Sequence, residues 1–198
     1  MENRWKNLIL VLVLIGILYL AFPYLSTLFS GIQPKSITET QAKIAFFYSE
    51  NQIEFVLTDF DLIQVQDSGL TKLIQSLQTY KTQNSSSPSV VMLTDIYLLN
   101  AEKTQSRKNL AKLNFELDEI SSEQICVNIS KFEERQTVLE EVFSKTLALN
   151  QKINEFETQY SAQAAELSLL DLQTETRILQ NLIISSQEQV NELKALCG

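Results

Sequence analysis

The fold is decided by residues 139–160, which read LEEVFSKTLALNQKINEFETQY. Apolar side chains and one threonine recur there at alternating steps of three and four residues, the spacing of a coiled-coil seam. We call these positions the first stripe: Leu139, Val142, Thr146, Leu149, Ile153, Phe156 and Tyr160. Upstream, Ser130 and Glu133 form a Ser-x-x-Glu capping box, which predicts that the helix starts near Ser130. The stretch therefore predicts a long helix whose seam is covered by another helix.

The apolar pattern changes phase after Tyr160. The same steps continued give four apolar residues in the next ten positions, whereas a shifted pattern gives eight in ten. We call this second pattern the shifted stripe: Ala165, Leu169, Leu172, Thr176, Leu179, Ile183, Ser186, Val190, Leu193 and Cys197. A jump of this size indicates either a stutter in one long helix or a turn within QYSAQAAEL, residues 159–167.

The two cysteines bear on that choice. Cys126 lies 35 residues before Ser161, and Cys197 lies 35 residues after Ala162, so a hairpin turning there brings the thiols together. A disulfide closing a loop of about 70 residues would contribute roughly 4 kcal/mol on the chain-entropy estimate. Two alternatives stay open at this stage. Cys197 of a parallel helix pair would bond to its own mate, or both thiols would stay reduced.

Composition also indicates long helices, because no glycine or proline lies between Ser89 and Cys197. The predicted fold class is mainly α: one N-terminal transmembrane helix followed by a helical bundle or antiparallel coiled-coil hairpin. Residues 130–197 are predicted to form that hairpin, with its turn near 161–164. Ten of its apolar positions are candidates for a partner-binding seam: Leu139, Val142, Leu149, Ile153, Phe156, Leu172, Leu179, Ile183, Val190 and Leu193.

Residues 36–120 are predicted to form a separate helical region. Apolar spacing favours one helix over 37–66. The alternative is a β-hairpin within 43–66, as part of a small α+β segment in 43–95, because Ile53, Phe55 and Leu57 alternate and the residues around them are β-prone.

A second part of this region is punctuated by a Ser-rich loop at 84–89. The residues before it, 68–83, show one apolar face and predict a short helix. Pro88 favours the first position of the next helix, where its missing N–H is not needed. The stretch 102–109 in that helix is polar all round, which predicts a solvent-exposed or weakly packed section.

The N-terminus contains no charged residue between Lys6 and Lys35. Its apolar run spans roughly 33 Å as a helix, enough to cross a hydrocarbon layer of about 30 Å. We therefore predict a transmembrane helix over 7–31 that contacts membrane lipid, with residues 1–6 as a short cytoplasmic tail. The run is too long for the core of a cleaved signal peptide. Arg4 and Lys6 favour a single-pass signal-anchor with the N-terminus inside and the C-terminal domain outside the cell membrane.

Composition excludes several classes of chemistry. The chain has no histidine, and its net charge of −8 argues against nucleic-acid binding. Asp59, Asp61 and Asp67 are the nearest approach to a divalent-cation site, but the glycine and third ligand of a calcium loop are missing. A solvated face explains these carboxylates better. We predict no catalytic residues, no cofactor and no metal, and that the chain is not an enzyme.

The functional prediction follows from layout. Long amphipathic helices behind a membrane anchor are typical of a scaffold, a spacer or an assembly subunit that binds a protein partner or itself. The alternative is a helical-bundle sensor or ligand-binding ectodomain. Two Asn-x-Ser sequons, at Asn84 and Asn128, are compatible with an exterior location but do not argue for one.

Overall fold

The computed structural model describes residues 37–53, 65–162, 164 and 172–197. Five helices lie in these ranges: α1 (Ile37–Glu50), α2 (Asp67–Gln83), α3 (Pro88–Asp118), α4 (Ile129–Gln159) and α5 (Gln173–Cys197). Two 3-10 turns, Ser122–Gln124 and Cys126–Asn128, connect α3 to α4. The helices pack as a bundle, and the described ranges contain no strand, which confirms the mainly α prediction.

The first helix ends at Glu50, so the helix predicted over 37–66 is wrong at the described residues 51–53 that follow. Gln52 has a φ of 57°, in the left-handed region, and the N–H of Ile53 donates to the carbonyl oxygen of Tyr48 at 2.9 Å. These features define a Schellman motif, which ends a helix by satisfying its last carbonyl groups. Ile53 is buried after the turn. Burial of this side chain favours the reversal over a continued helix.

The β-hairpin alternative is also wrong where it is described. Its first strand would use residues 43–49, which belong to α1. Its second strand falls mostly in 54–64, which lies outside the described residues together with Asp59 and Asp61. Gly69 lies close to the backbone of Asn51, since a Cβ on Gly69 would be only 3.2 Å from the carbonyl oxygen of Asn51. Glycine thus lets α2 begin against the end of α1.

One large apolar core lies between α1, α2, the N-terminal half of α3 and the C-terminal half of α4. Aromatic pairs lie inside it, with the rings of Tyr48 and Tyr97 edge-to-face at 6.3 Å and those of Phe47 and Tyr80 at 5.7 Å. We call it the larger core: Ile44, Phe47, Tyr48, Ile53, Leu70, Leu73, Leu77, Tyr80, Val90, Leu93, Ile96, Tyr97, Leu98, Ala101, Leu149, Ile153, Phe156, Ala164 and Leu172. These contacts stabilise the end of the bundle that contains α1 and α2.

A second apolar group lies where α3, α4 and α5 meet. Leu139, Val142 and Leu179 are buried there, and we call them the smaller cluster. Partly buried hydrophobic residues surround it: Leu110, Phe143 and Ile183. This end of the bundle therefore offers much less apolar packing than the larger core.

The polar stretch 102–109, predicted to be solvent-exposed or weakly packed, contains three buried residues. Lys103, Thr104 and Ser106 are buried, with 3%, 1% and 2% of their surface exposed. The solvent-exposed alternative is wrong at these three residues, because α4 and α5 cover this part of α3 and supply polar partners for it. Buried polar groups are stable only with such partners.

The start of α4 also differs in detail from the capping-box prediction. The helix begins at Ile129, its N-cap is Asn128, and no side chain caps it. Ser130 already lies in the first turn, so the Ser130 and Glu133 pair does not form the predicted cap. At the other end α4 stops at Gln159, just before the segment in which the turn was predicted.

The predicted cytoplasmic tail, 1–6, and the predicted transmembrane helix, 7–31, lie outside the described residues. Among the helices of the described ranges, none combines the length and apolar character needed to cross a bilayer.

Candidate functional site

Cys126 and Cys197 lie at disulfide distance within one chain. Their Cα atoms are 5.3 Å apart although 71 residues separate them in sequence. Cys126 belongs to the second 3-10 turn and is exposed, and Cys197 ends α5 and is half-buried. The hairpin hypothesis predicted this juxtaposition from the phase break. Pairing within the chain is therefore the arrangement the fold favours among the three considered.

The cysteines meet because α5 runs antiparallel to α4. The Arg135 guanidinium donates to the Gln189 side chain at 2.9 Å, and Lys194 Nζ lies 2.7 Å from a Glu133 carboxylate oxygen. The residue numbers of each pair add up to nearly the same sum, as they do for antiparallel neighbours. This register leads directly to the contact between Cys126 and Cys197.

The candidate partner seam is largely used inside the chain. Eight of its ten residues are buried: Leu139, Val142, Leu149, Ile153, Phe156, Leu172, Leu179 and Val190. Ile183 and Leu193 are half-buried. As an external binding surface the seam is thus already covered, because the helices of one chain bury each other's stripes.

The exposed apolar residues of α5 were missed by sequence reasoning. Ile178, Leu182 and Leu196 are 53%, 45% and 81% exposed. Leu182 is four positions after Ile178, about one helical turn, and Leu196 is fourteen positions after Leu182, about four turns. All three side chains therefore share one face of the helix. We call them the outer strip. Their positions lie outside both stripes, and the i, i+4 pair of Ile178 and Leu182 was the available signal.

A layer of polar contacts separates the larger core from the smaller cluster. Lys103 of α3, whose side chain is 4% exposed, donates to both carboxylate oxygens of Glu175 in α5, at 2.9 and 3.3 Å. Covering a charged side chain to this extent is destabilising unless an opposite charge lies beside it. The pair therefore links the first turn of α5 to the middle of α3.

On the α4 side of this layer, Lys145 Nζ donates to Glu141 Oε1 at 2.6 Å and to Ser106 Oγ at 2.9 Å. The Ser106 hydroxyl in turn lies 3.0 Å from Glu141 Oε1. The hydrogen bond from Lys145 is the largest influence on Glu141 and holds the pKa of that carboxyl below its usual value, with Ser106 adding to the effect. The arrangement satisfies polar groups that α3 buries, and its geometry is that of a structural network.

Two tyrosines in the larger core are protected from ionisation. Burial raises the pKa of Tyr48 and of Tyr97 well above the usual 10, and the neighbouring Tyr97 raises that of Tyr48 further. Both are core residues, and neither lies beside the cysteines.

A surface groove of about 530 Å³ lies between α1 and α2. Phe47, Tyr80, Lys43 and Lys72 contribute to its lining, and Lys43 Nζ lies 4.3 Å from the centre of the Phe46 ring. This cation–π contact already engages the lysine. The ligand-binding alternative would place its ligand here, and that alternative stays a prediction.

Within the described ranges, no three acidic or cysteine side chains come together as a metal would require. Asp67 lies at the start of α2, where Lys108 Nζ is 2.5 Å from its carboxylate. The carboxylate of Asp67 therefore already has a cationic partner within the chain.

Comparison of the chain with protein-family models, with curated proteins and with solved structures gives no match.

Proposed function

We propose that this protein is a membrane-anchored, extracytoplasmic helical protein that acts as a scaffold, spacer or assembly subunit for a protein partner or a second copy. Residues 7–31 would provide the single-pass anchor, with the N-terminus inside. The observation that carries the proposal is the placement of Cys126 and Cys197 at disulfide distance. Disulfides persist in oxidising compartments, which agrees with a bundle outside the cell membrane.

The outer strip supports the binding part of the proposal. Ile178 and Leu182 lie one turn apart on a helix whose inner face is already used by α4. Aliphatic side chains repeated along one exposed helix face are the usual means by which helices pair or enter a groove. Helix α4, with 31 residues, measures about 46 Å and supplies the length expected of a spacer.

Variants of α5 test the binding proposal. Ile178→Glu charges the outer strip, whereas Ile184→Glu makes the same change at a residue that is also 53% exposed but lies on another face. The full chain is crosslinked in membranes, purified and assayed for covalent adducts. We expect Ile178→Glu to lower adduct yield about tenfold, the size expected of a binding hot spot. Equal yields from both variants would contradict the outer strip as the interface.

The location is tested separately. Intact cells are treated with a thiol-blocking reagent before lysis, and the chain is compared on reducing and non-reducing gels. We expect blocked, unreduced chain to migrate as a monomer with an internal disulfide. A reductant-sensitive dimer band would instead indicate pairing between chains, and fully alkylated Cys126 and Cys197 would contradict the oxidising compartment.

A further inference from the structure

Helix α5 is held to the bundle by few buried side chains. In the described part of this helix, Leu179, Ser186 and Val190 are the buried residues. The smaller cluster contains three buried hydrophobic residues, against nineteen in the larger core. Apolar burial is the main source of stability in a bundle, so α5 is the more weakly packed part.

Ser186, one of the three buried residues in the described part of α5, weakens the packing of this helix. Ser186 is 2% exposed, and its hydroxyl has no hydrogen-bond partner in the described ranges. A buried hydroxyl without a partner favours the detached state, in which water can bind it. The interface between α4 and α5 thus has a built-in defect at its centre.

The polar contacts at the C-terminal end of α5 are exposed. Glu133 and Lys194 are 46% and 54% exposed at their side chains, and ion pairs of this kind contribute little in water. The buried pair of Lys103 and Glu175 lies at the opposite end of the helix. Beyond Val190 and the half-buried Leu193, the C-terminus of α5 is therefore held to the bundle chiefly by Cys197.

The disulfide position is accessible. Cys126 is exposed in its 3-10 turn, which places the disulfide at the surface of the bundle, where a thiol in solution can reach it. Exposed disulfides are more readily reduced than buried ones and are more often regulatory.

We propose that Cys126 and Cys197 form a redox-sensitive latch, so that reduction releases α5 from α4 while the larger core stays folded. A dithiol reductant attacks the sulfur of Cys126 as a thiolate, breaks the S–S bond and forms a mixed disulfide. The thiolate of Cys197 leaves and takes up a proton. The second thiol of the reductant then displaces Cys126 as a thiol. Two electrons and two protons pass to the protein, and the reductant departs as a disulfide.

Release changes which surfaces the molecule presents. Release of α5 exposes Leu179 and Val190 of that helix and Leu139 and Val142 of α4. All four residues are buried while α5 is attached. The latch rests on the disulfide that the proposed function also uses. It goes further, because it makes attachment of α5 conditional on redox state.

Hydrogen exchange of the full chain in detergent micelles tests the latch, with the disulfide first formed in vitro by oxidised glutathione. Dithiothreitol is then added. We expect amide protection in α5 to fall by up to about a thousandfold, the order expected when a loop of this length loses its closure. Peptides from α1 and α2 are expected to keep their protection. Protection of α5 that survives reduction overturns the proposal. Equal loss of amide protection in α1 and α2 also overturns it, and would show that the disulfide stabilises the whole bundle.

Cys197→Ser is the matched variant. It should show low α5 protection with and without dithiothreitol, and a response to the reductant in this variant contradicts the assignment to the disulfide. Because the bond is formed in vitro, the result is independent of the cellular compartment. Reduced cysteines in cells would therefore contradict the proposed location while leaving the exchange result to decide the latch.

Discussion

At the end of the bundle that contains α1 and α2, nineteen buried hydrophobic residues form one core, whereas three form the smaller cluster beneath α5. The first end has interlocking aromatic rings, including the pair of Tyr48 and Tyr97. The second is bordered by a buried ion pair and has two cysteines at its tip. Apolar packing is the main contact at the first end. The second depends on polar and covalent links.

The same helix shows both environments. The N-terminal half of α3 buries Val90, Leu93 and Ile96 in the larger core, and the middle of the helix buries Lys103 and Ser106. The change of character within one continuous helix marks the border between the two ends. Stability measurements on matched substitutions should therefore differ across this border.

The largest expected effect comes from deleting leucine side chains. Leu93→Ala should lower the free energy of unfolding by about 4 kcal/mol and Leu179→Ala by about 2 kcal/mol, since leucine-to-alanine changes cost more where the surroundings cannot collapse. Leu93 is 0% exposed in the larger core, and Leu179 is 7% exposed in the smaller cluster. Urea unfolding followed by circular dichroism measures both. Equal losses would remove the distinction between the two ends.

Much of the α4 environment could be predicted from the sequence. Leu139, Val142, Leu149, Ile153 and Phe156 follow helical spacing, and all are buried. Periodicity works here because one unbroken helix presents one face to its neighbours. The phase break and the cysteine spacing then indicated which segments lie side by side.

Periodicity failed where tertiary contacts reverse the meaning of a residue. Lys103 and Ser106 lie in a stretch predicted to be solvent-exposed or weakly packed, and only the position of α4 and α5 shows that partners cover them. The prediction of where α1 ends failed for a local reason. Gln52 adopts a left-handed φ, a conformation in which glycine is the usual residue. The outer strip was not predicted, because its residues lie outside both the first stripe and the shifted stripe.

The next effect in size concerns the buried ion pair. Glu175→Gln should destabilise the protein by about 2 kcal/mol, because it leaves the charge of Lys103 covered and without its anion. The figure is below that of a fully buried pair because the Glu175 side chain is 28% exposed. Lys103→Met should cost less than about 1 kcal/mol, since an apolar side chain suits the site. Equal losses of stability from the two variants would contradict the view that the covered charge of Lys103, left without its anion, causes the loss.

A smaller effect of opposite sign is expected at Ser186. Ser186→Ala should raise stability by about 1 kcal/mol, because it removes a buried hydroxyl that has no partner in the described ranges and adds helix propensity. Ser185→Ala is the control, since that neighbour is exposed and gains propensity only, about 0.5 kcal/mol. Thermal unfolding of the two variants measures the difference. A gain no larger at Ser186 than at Ser185 would contradict a packing defect beneath α5.

The smallest expected effect is pH-dependent and lies at the border between the two ends. The hydrogen bond from Lys145 lowers the pKa of Glu141 in the folded protein below its usual value of 4.5. The folded state therefore binds this proton less tightly than the unfolded state. Its contribution is present above pH 4.5 and is lost as the pH falls through the folded pKa. Because the side chain is 48% exposed, Glu141→Gln should cost no more than about 0.5 kcal/mol at neutral pH. The difference from wild type should shrink in acid, at high salt and in a Lys145→Met background, and a difference that persists in that background would assign it to something other than this ion pair.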